Sequence, residues 1–353
     1  MKHLLLIAFT ALLTVQGCAL KPTTRHDNFA AQAQLPQEEA PHLRNSLEWW
    51  YFTGHLKDQA TGETFGVEYV FFHFNVNGRA DRQMVNFALT DPQHQTFHYD
   101  YKVEKLPALL QPTLPLALSM TKQAQTWTLA GQEGRYQLQA RMAAHPGYAI
   151  SLSTTPAKPV LLHGGTGYEN YGNLATAGYY SYPRLQATGT VEIAGKTRQV
   201  TGELWYDRQW NCVAVLDKGS GWDWFSIQLD EPREEIMAYE LHDAQGTRRI
   251  AGGSHFSPQG HNTHLAADDF QLEATATWTS PRTKRTYPAK WHLRIPSQGY
   301  DLVIEPLVPQ QELVLRLLPG VRLPYWEGMC RVTGTHHGRP VTGNSYVELT
   351  KGK

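Results

Sequence analysis

The sequence predicts an all-β protein made of two consecutive antiparallel β-barrels, and three observations carry that prediction. Apolar side chains recur with a period of two, turn residues interrupt the pattern at short intervals, and one pair of motifs occurs twice in the same order. In Phe270, Leu272, Ala274, Ala276 and Trp278 one face is apolar, while Gln271, Glu273, Thr275, Thr277 and Thr279 form the other, as in a half-buried strand. Trp291, Leu293 and Ile295 alternate in the same way with Lys290, His292 and Arg294, and Tyr136, Leu138, Ala140 and Met142 do so with Gln137, Gln139 and Arg141. Asn77-Gly78, Pro146-Gly147 and Ala194-Gly195 read as turns between strands. No helical period is sustained after residue 45.

The repeat sets the domain organisation. Trp49-Trp50-Tyr51-Phe52-Thr53-Gly54-His55-Leu56 aligns without a gap on Trp222-Asp223-Trp224-Phe225-Ser226-Ile227-Gln228-Leu229. Thr188-Gly189-Thr190, followed by Val200-Thr201-Gly202-Glu203-Leu204-Trp205-Tyr206-Asp207, recurs as Thr333-Gly334-Thr335 followed by Val341-Thr342-Gly343-Asn344-Ser345-Tyr346-Val347-Glu348. An opening motif and then a closing motif, twice over, marks two like units, 45–213 and 219–353. Closing each unit into a barrel removes the edge strands a free sheet would expose. The connection between them is short, so the barrels should touch, with Trp49 and Trp222 at equivalent positions.

Ahead of the first unit, residues 1–17 read as a signal peptide: a basic start, an apolar run from Leu4 to Val15, then Gly17 and Cys18. The run is shorter than the roughly 20 residues that span a bilayer. The segment resembles a bacterial lipoprotein signal, which makes Cys18 the lipidated residue and residues 18–44, rich in Gln, Ala, Pro and Thr, a tether. Ala19, rather than an aspartate, follows the cysteine. The expected location is therefore the bacterial cell envelope, anchored in the outer membrane and facing the periplasm. There Cys212 and Cys330 can form a disulfide or remain buried free thiols. The 32 basic and 32 acidic residues cancel, which excludes a nucleic-acid binder, and 41% hydrophobic residues exclude a disordered chain.

Five segments then become recognisable in order: Glu48 to Leu56, Tyr179-Tyr180-Ser181-Tyr182-Pro183-Arg184-Leu185, Asp207-Arg208-Gln209-Trp210, Gly221-Trp222-Asp223-Trp224-Phe225 and Tyr325-Trp326-Glu327-Gly328. From about residue 45 to the C-terminus the chain resembles the AttH and carotenoid 1,2-hydratase family, whose members are also labelled secreted hydrolases. The resemblance implies lipocalin-like barrels. In its hydratase members the segment at Arg208-Gln209-Trp210 resembles His-x-Trp, with the histidine and tryptophan implicated in catalysis. Trp210 carries over, Arg208 stands in place of the histidine, and Tyr239 matches a functional tyrosine whose associated acid has no counterpart beyond the nearby Glu240.

Chemistry on an isolated alkene needs a proton donor able to protonate carbon, a dry cavity and aromatic faces for the cation. Asp207, Arg208, Trp210 and Tyr239 are the candidate catalytic residues, and Trp49, Tyr51, His73, Trp222, Asp223 and Trp224 the candidate ligand-binding ones. Each has a plainer reading. The tryptophans also suit barrel core, His73 a hydrogen-bonded core histidine, and Arg208 a buried ion pair with Asp223 or Glu48. The chain has no GxSxG elbow, no HExxH and no phosphate loop, so no cofactor and no metal are expected. Three functions remain: a lipoprotein binding an apolar or amphipathic small molecule such as a lipid or isoprenoid, its transport partner unnamed, which the absent histidine and retained aromatics favour slightly; an enzyme of the carotenoid 1,2-hydratase type adding water to an apolar alkene, or a related hydrolase; and a purely structural envelope protein.

Overall fold

The computed structural model describes residues 29–42, 47–74, 82–106, 110–212, 221–318 and 321–352. The leader, Cys18, the Asn77-Gly78 turn and the connection between the units lie outside the described residues.

The first unit contains β1 (Leu47–Asp58), β2 (Thr64–Phe74), β3 (Arg82–Asp91), β4 (Thr96–Lys105), β5 (Leu116–Lys122), β6 (Gln125–Gln132), β7 (Arg135–Arg141), β8 (Ala149–Pro156), β9 (Leu161–Leu162), β10 (Tyr168–Asn170), β11 (Thr176–Ile193) and β12 (Lys196–Trp210). The second contains β13 (Gly221–Leu229), β14 (Glu235–His242), β15 (Arg248–Phe256), β16 (Asn262–Ala266), β17 (Gln271–Thr279), β18 (Thr286–Ile295), β19 (Tyr300–Pro306), β20 (Glu312–Leu318), β21 (Val321–His336) and β22 (Arg339–Leu349). Each unit is one antiparallel sheet. The orders are β4-β3-β2-β1-β12-β11-β8-β7-β6-β5 and β16-β15-β14-β13-β22-β21-β19-β18-β17, with β9 and β10 added to β11 and β20 to β21.

From β4 to β6 in the first sheet and from β16 to β17 in the second the orders match strand for strand, with β5 the additional strand of the first, which makes the sequence repeat a structural one. The register agrees to the residue: Tyr51 faces Asp207 across β1 and β12, and the aligned Trp224 faces Glu348 across β13 and β22. The repeat glycines have equal duties. Gly189 and Gly334 take φ of 149° and 155°, and a Cβ there would stand 2.0 Å from the Ser151 carbonyl oxygen and 2.2 Å from that of Asp301. In the first barrel, Lys122 Nζ donates to the Tyr101 carbonyl oxygen (2.8 Å) and Lys102 Nζ to that of Thr121, so side chains bridge the seam between β4 and β5.

Both barrels are filled. Trp50, Phe52, Tyr69, Phe87, Trp127 and Tyr206 pack inside the first, and Phe225, Trp291, Leu302 and Trp326 inside the second. A third cluster lies between the barrels and includes Tyr51, Trp205, Trp224 and Tyr239. β1, β2 and β12 are therefore buried on both faces, which is why Tyr69 to Phe72 reads as an unbroken apolar run. β17 departs from expectation. It pairs only with β18 and most of its residues are exposed, because it ends its sheet and faces no second barrel.

One expectation needs correction, and one open alternative is decided. Residues 29–42, read as the end of a tether, lie along the first barrel: Glu39 and Ala40 are buried, and Trp50 Nε1 donates to the Glu39 carbonyl oxygen at 2.9 Å. The disulfide is absent. Cys212 and Cys330 are free and buried, Cys330 within the core of the second barrel and Cys212 just past the last strand of the first. Burial pushes both thiols up.

Candidate functional site

The site lies between the barrels, where repeat-equivalent residues meet. Trp49 and Trp222 stack with ring centroids 6.4 Å apart and planes 11° apart, and Tyr51 meets Trp224 edge to face at 5.4 Å. Beside them is a cavity of about 50 Å³, room for a few water molecules or the reacting end of a small ligand. Trp49, Tyr51, Phe72, Trp222 and Trp224 line it with Tyr171, Tyr179, Tyr239 and Leu241. Asp207, Gln209 and Glu348 supply its other polar groups.

Asp207 is fixed by three donors. Tyr179 donates its hydroxyl to Oδ2 (2.6 Å), while Ser181 Oγ and Trp205 Nε1 both donate to Oδ1 (2.5 Å each). Behind Ser181 stands His163, its Nε2 2.7 Å from Ser181 Oγ and its Nδ1 3.0 Å from Ser254 Oγ. Burial lowers His163 to about 3, so its ring is neutral. Burial also raises the Asp207 carboxyl to about 6, against the pull of Ser181, Tyr179 and Trp205. Glu348 accepts one hydrogen bond, from Trp222 Nε1 at 2.8 Å. Burial lifts it to about 7, with Trp222 opposing and the charges of Asp207 and Asp223 adding to the rise. Farther into the interface, buried Glu68 and Glu327 sense the Glu348 charge, and both are held protonated by burial.

Tyr239 enters from β14, and its hydroxyl donates to Glu169 Oε1 at 2.8 Å. Its acid partner is thus Glu169 on β10, not Glu240. Gly252 lies across β15 from Tyr239 and leaves room for the ring, since a Cβ there would stand 2.7 Å from the phenol oxygen.

Alternation along β12 splits the predicted quartet. Asp207 and Gln209 face the cavity, whereas Arg208 and Trp210 point into the end of the first barrel. There Arg208 Nη2 is 2.6 Å from Glu48 Oε2, its guanidinium lies 4.1 Å above the Trp50 ring, and it donates to the Ala40 carbonyl oxygen at 2.8 Å. His73 belongs to the same cluster, with Nδ1 2.8 Å from Glu48 Oε1, and His42 Nδ1 lies 2.9 Å from Oε2. Burial alone would raise Glu48, but Arg208, His42 and His73 together hold it well below the usual carboxylate range. Arg208 and His73 therefore lock residues 38–42 onto the barrel, as the ion-pair and core-histidine readings anticipate. Asp223 turns away from the cavity toward Glu240 and His242.

Of the sequence candidates, the structure gathers Trp49, Tyr51, Asp207, Trp222, Trp224 and Tyr239 around one cavity. Glu348 was missed. The signal for it was present, since the repeat aligns it on Asp207. Tyr179 and Ser181 lie in one of the five family segments, but no role was read for them there, and His163 and Glu169 carried no signal, because β10, β11 and the turn before them reach the site only through the fold.

The sequence model of the AttH-like family matches residues 28–352. A crystal structure of a Nitrosomonas europaea protein described as an AttH superimposes with a TM-score of 0.76 at 28% identity, covering 91% of this chain and 97% of that one. Kievitone hydratase from Nectria haematococca superimposes with a TM-score of 0.72 at 17% identity, covering 93% of this chain and 96% of that one. No curated protein matches the chain.

Proposed function

Because the chain belongs to the AttH-like family, we propose that it is an acid–base enzyme that adds water to a carbon–carbon double bond at the end of a small, largely apolar molecule held between its barrels. The observation that carries this reading is the pair of buried carboxyl groups, Asp207 and Glu348, facing one aromatic-walled cavity from repeat-equivalent positions. Their surroundings assign their roles. Glu348, with a single donor, keeps its proton, while three donors favour the Asp207 carboxylate.

Glu348 gives its proton to one alkene carbon, and positive charge develops on the other. The faces of Trp49, Trp222 and Trp224 and the Asp207 carboxylate stabilise that charge. Water then bonds to the cationic carbon and loses a proton to Asp207. Passage of that proton back to Glu348 restores the starting state, and the reverse sequence dehydrates an alcohol. Kievitone hydratase, a hydratase by name, supports the reading as a precedent on the same fold.

Among the described residues, large aromatic side chains occupy the interior of both barrels, which favours a ligand site between the barrels over one inside them. The leader and Cys18 support, as part of the same proposal, a lipid-anchored protein of the bacterial envelope facing the periplasm from the outer membrane. The test is turnover of apolar alkenes and tertiary alcohols in water labelled with oxygen-18. Label should enter the alcohol product, and Asp207→Asn or Glu348→Gln should each reduce kcat by about 10²–10⁴-fold while leaving ligand affinity nearly intact. Binding without label incorporation in the wild type would leave a carrier, not an enzyme.

A further inference from the structure

We infer that His163 is a positioning residue for Asp207: its ring carries the proton on Nε2, donates to Ser181 and so turns the Ser181 hydroxyl onto the carboxylate. The inference rests on the reading of Asp207 as the base and adds the part that holds it ready. The contacts cross from one barrel to the other. Ser254 on β15 has its Oγ 3.0 Å from His163 Nδ1, His163 Nε2 lies 2.7 Å from Ser181 Oγ, and Ser181 Oγ lies 2.5 Å from Asp207 Oδ1. His163, Ser181 and Ser254 have no exposed surface, so these polar atoms must satisfy one another.

The backbone fixes the ring in place. His163 opens a short turn, His163–Gly165, in which Gly164 takes φ of 60°. The Gly167 N–H donates to the His163 carbonyl oxygen and the Tyr179 N–H to the Gly167 carbonyl oxygen, both at 2.8 Å, which ties the turn to β11. The imidazole packs on the Tyr179 ring with centroids 4.0 Å apart, one nitrogen toward each serine.

Donor counting then sets the direction of the chain. Ser181 has one hydrogen and faces two groups able to accept it, the Asp207 carboxylate and a ring nitrogen. A bare Nε2 would leave that hydrogen contested and set two acceptors against each other at hydrogen-bond distance. With the proton on Nε2, each contact has one donor and one acceptor: Ser254 gives to Nδ1, Nε2 to Ser181, and Ser181 to Asp207. Burial keeps the ring neutral, so a single nitrogen carries the proton. The opposite direction is as well bonded, but it requires a proton on Asp207 and the other tautomer. Tautomer and carboxylate charge are therefore tied, and the second barrel, through Ser254, takes part in setting the base of the first.

The ionisable groups around Asp207 are Tyr51 on β1, Tyr179 on β11, Tyr171 just before β11, and Glu348 on β22. Those around His163 are Tyr179, Glu169 on β10 beside Gly164, and the exposed His264, which faces Ser254 across β15 and β16. Burial raises the three tyrosines, which stay protonated, so Glu348 and His264 are the neighbours to separate from the effect.

The experiment combines nitrogen-15 NMR of the histidine rings, carbon-13 NMR titration of the Asp207 carboxyl group and the pH profile of kcat/KM. In the wild type with Asp207 ionised, His163 should show a protonated Nε2 and a bare Nδ1. His163→Phe removes the donor and frees a Ser181 lone pair to accept from a protonated Asp207, so the carboxyl titration and the acid limb should both move up by about one pH unit. Ser254→Ala should move them the same way by less, and it decides the matter if the phenylalanine variant fails to fold. His163→Gln, which restores an N–H donor, should bring them back toward the wild type, and His264→Gln should leave them in place. The ring and carboxyl measurements need no turnover, so they decide this inference even if oxygen-18 labelling shows that the protein is not an enzyme. A bare Nε2 beside an ionised Asp207, or an Asp207 titration unmoved in His163→Phe and Ser254→Ala while their stability falls, would overturn it.

Discussion

Replacing Arg208 by methionine separates the two faces of β12. Both Arg208 and Glu48 are fully buried, and their ion pair sits beneath the segment that carries Ala40 and His42. Breaking a buried pair strands the partner charge and costs about 3–5 kcal/mol. Loss of the guanidinium over Trp50 and of its bond to the Ala40 carbonyl oxygen pushes the figure to the upper end. The cost should depend on pH. In the wild type, Glu48 has a folded pKa below its unfolded one, so it stabilises the fold above about pH 4.5, and that contribution is lost as pH falls. Without Arg208 the stranded carboxylate can escape by taking a proton, so the variant should lose less relative to wild type at pH 4.5 than at pH 7.5. Urea unfolding at both values measures this, with a Glu48→Gln/Arg208→Met double variant closing the cycle. A stability loss under about 1 kcal/mol together with abolished ligand binding in the cavity would refute the reasoning, since it would place Arg208 in the site and not in the lock.

Four other outcomes are expected. The pH profile of kcat/KM should be bell-shaped, with limbs near about 6 and about 7, because Asp207 must be ionised and Glu348 protonated. Asp207→Asn should remove the acid limb alone, which steady-state rates from pH 5 to 9 will show. Stability should fall between pH 6.5 and 8: Glu39 and Glu68, raised to about 8 by burial, and Glu348, raised to about 7, hold protons in the folded chain that the unfolded chain has released, and melting temperatures at the two values check the sign. Cys212 and Cys330 should react with a thiol reagent only after denaturation, and protection of either thiol by a reducible bond would contradict their placement. Cys18→Ala should release the protein from the membrane fraction or leave it unprocessed, as fractionation and mass measurement will tell.

How much of this was legible in the chain depends on the range of the interaction. A strand's period of two is local, so alternation marked β7 and β18, and the repeat, itself a local comparison, carried the two-barrel architecture and the equivalence of Trp49 with Trp222. The same period also contained the news that Asp207 and Arg208 look in opposite directions, although it could not say which face met the other barrel. That decision belongs to the docking of the two units, which buries the outer faces of β1, β12 and β13 and turns a row of aromatic residues into a cavity wall. Glu169 comes to Tyr239 from a short strand, and His163 to the Ser181 that holds Asp207 from a turn, and the sequence of neither carries a sign of that placement. The cysteines show the same limit: their even number permits a bond, but only the fold could put one thiol in the core of the second barrel and the other at the end of the first. Sequence by itself determined which residues can share a face and which segments correspond, because backbone geometry enforces both within a few residues. Which faces meet, and so which acids share a cavity, was decided by tertiary structure, because burying apolar surface between the barrels acts between residues more than a hundred positions apart, such as Tyr51 and Trp224.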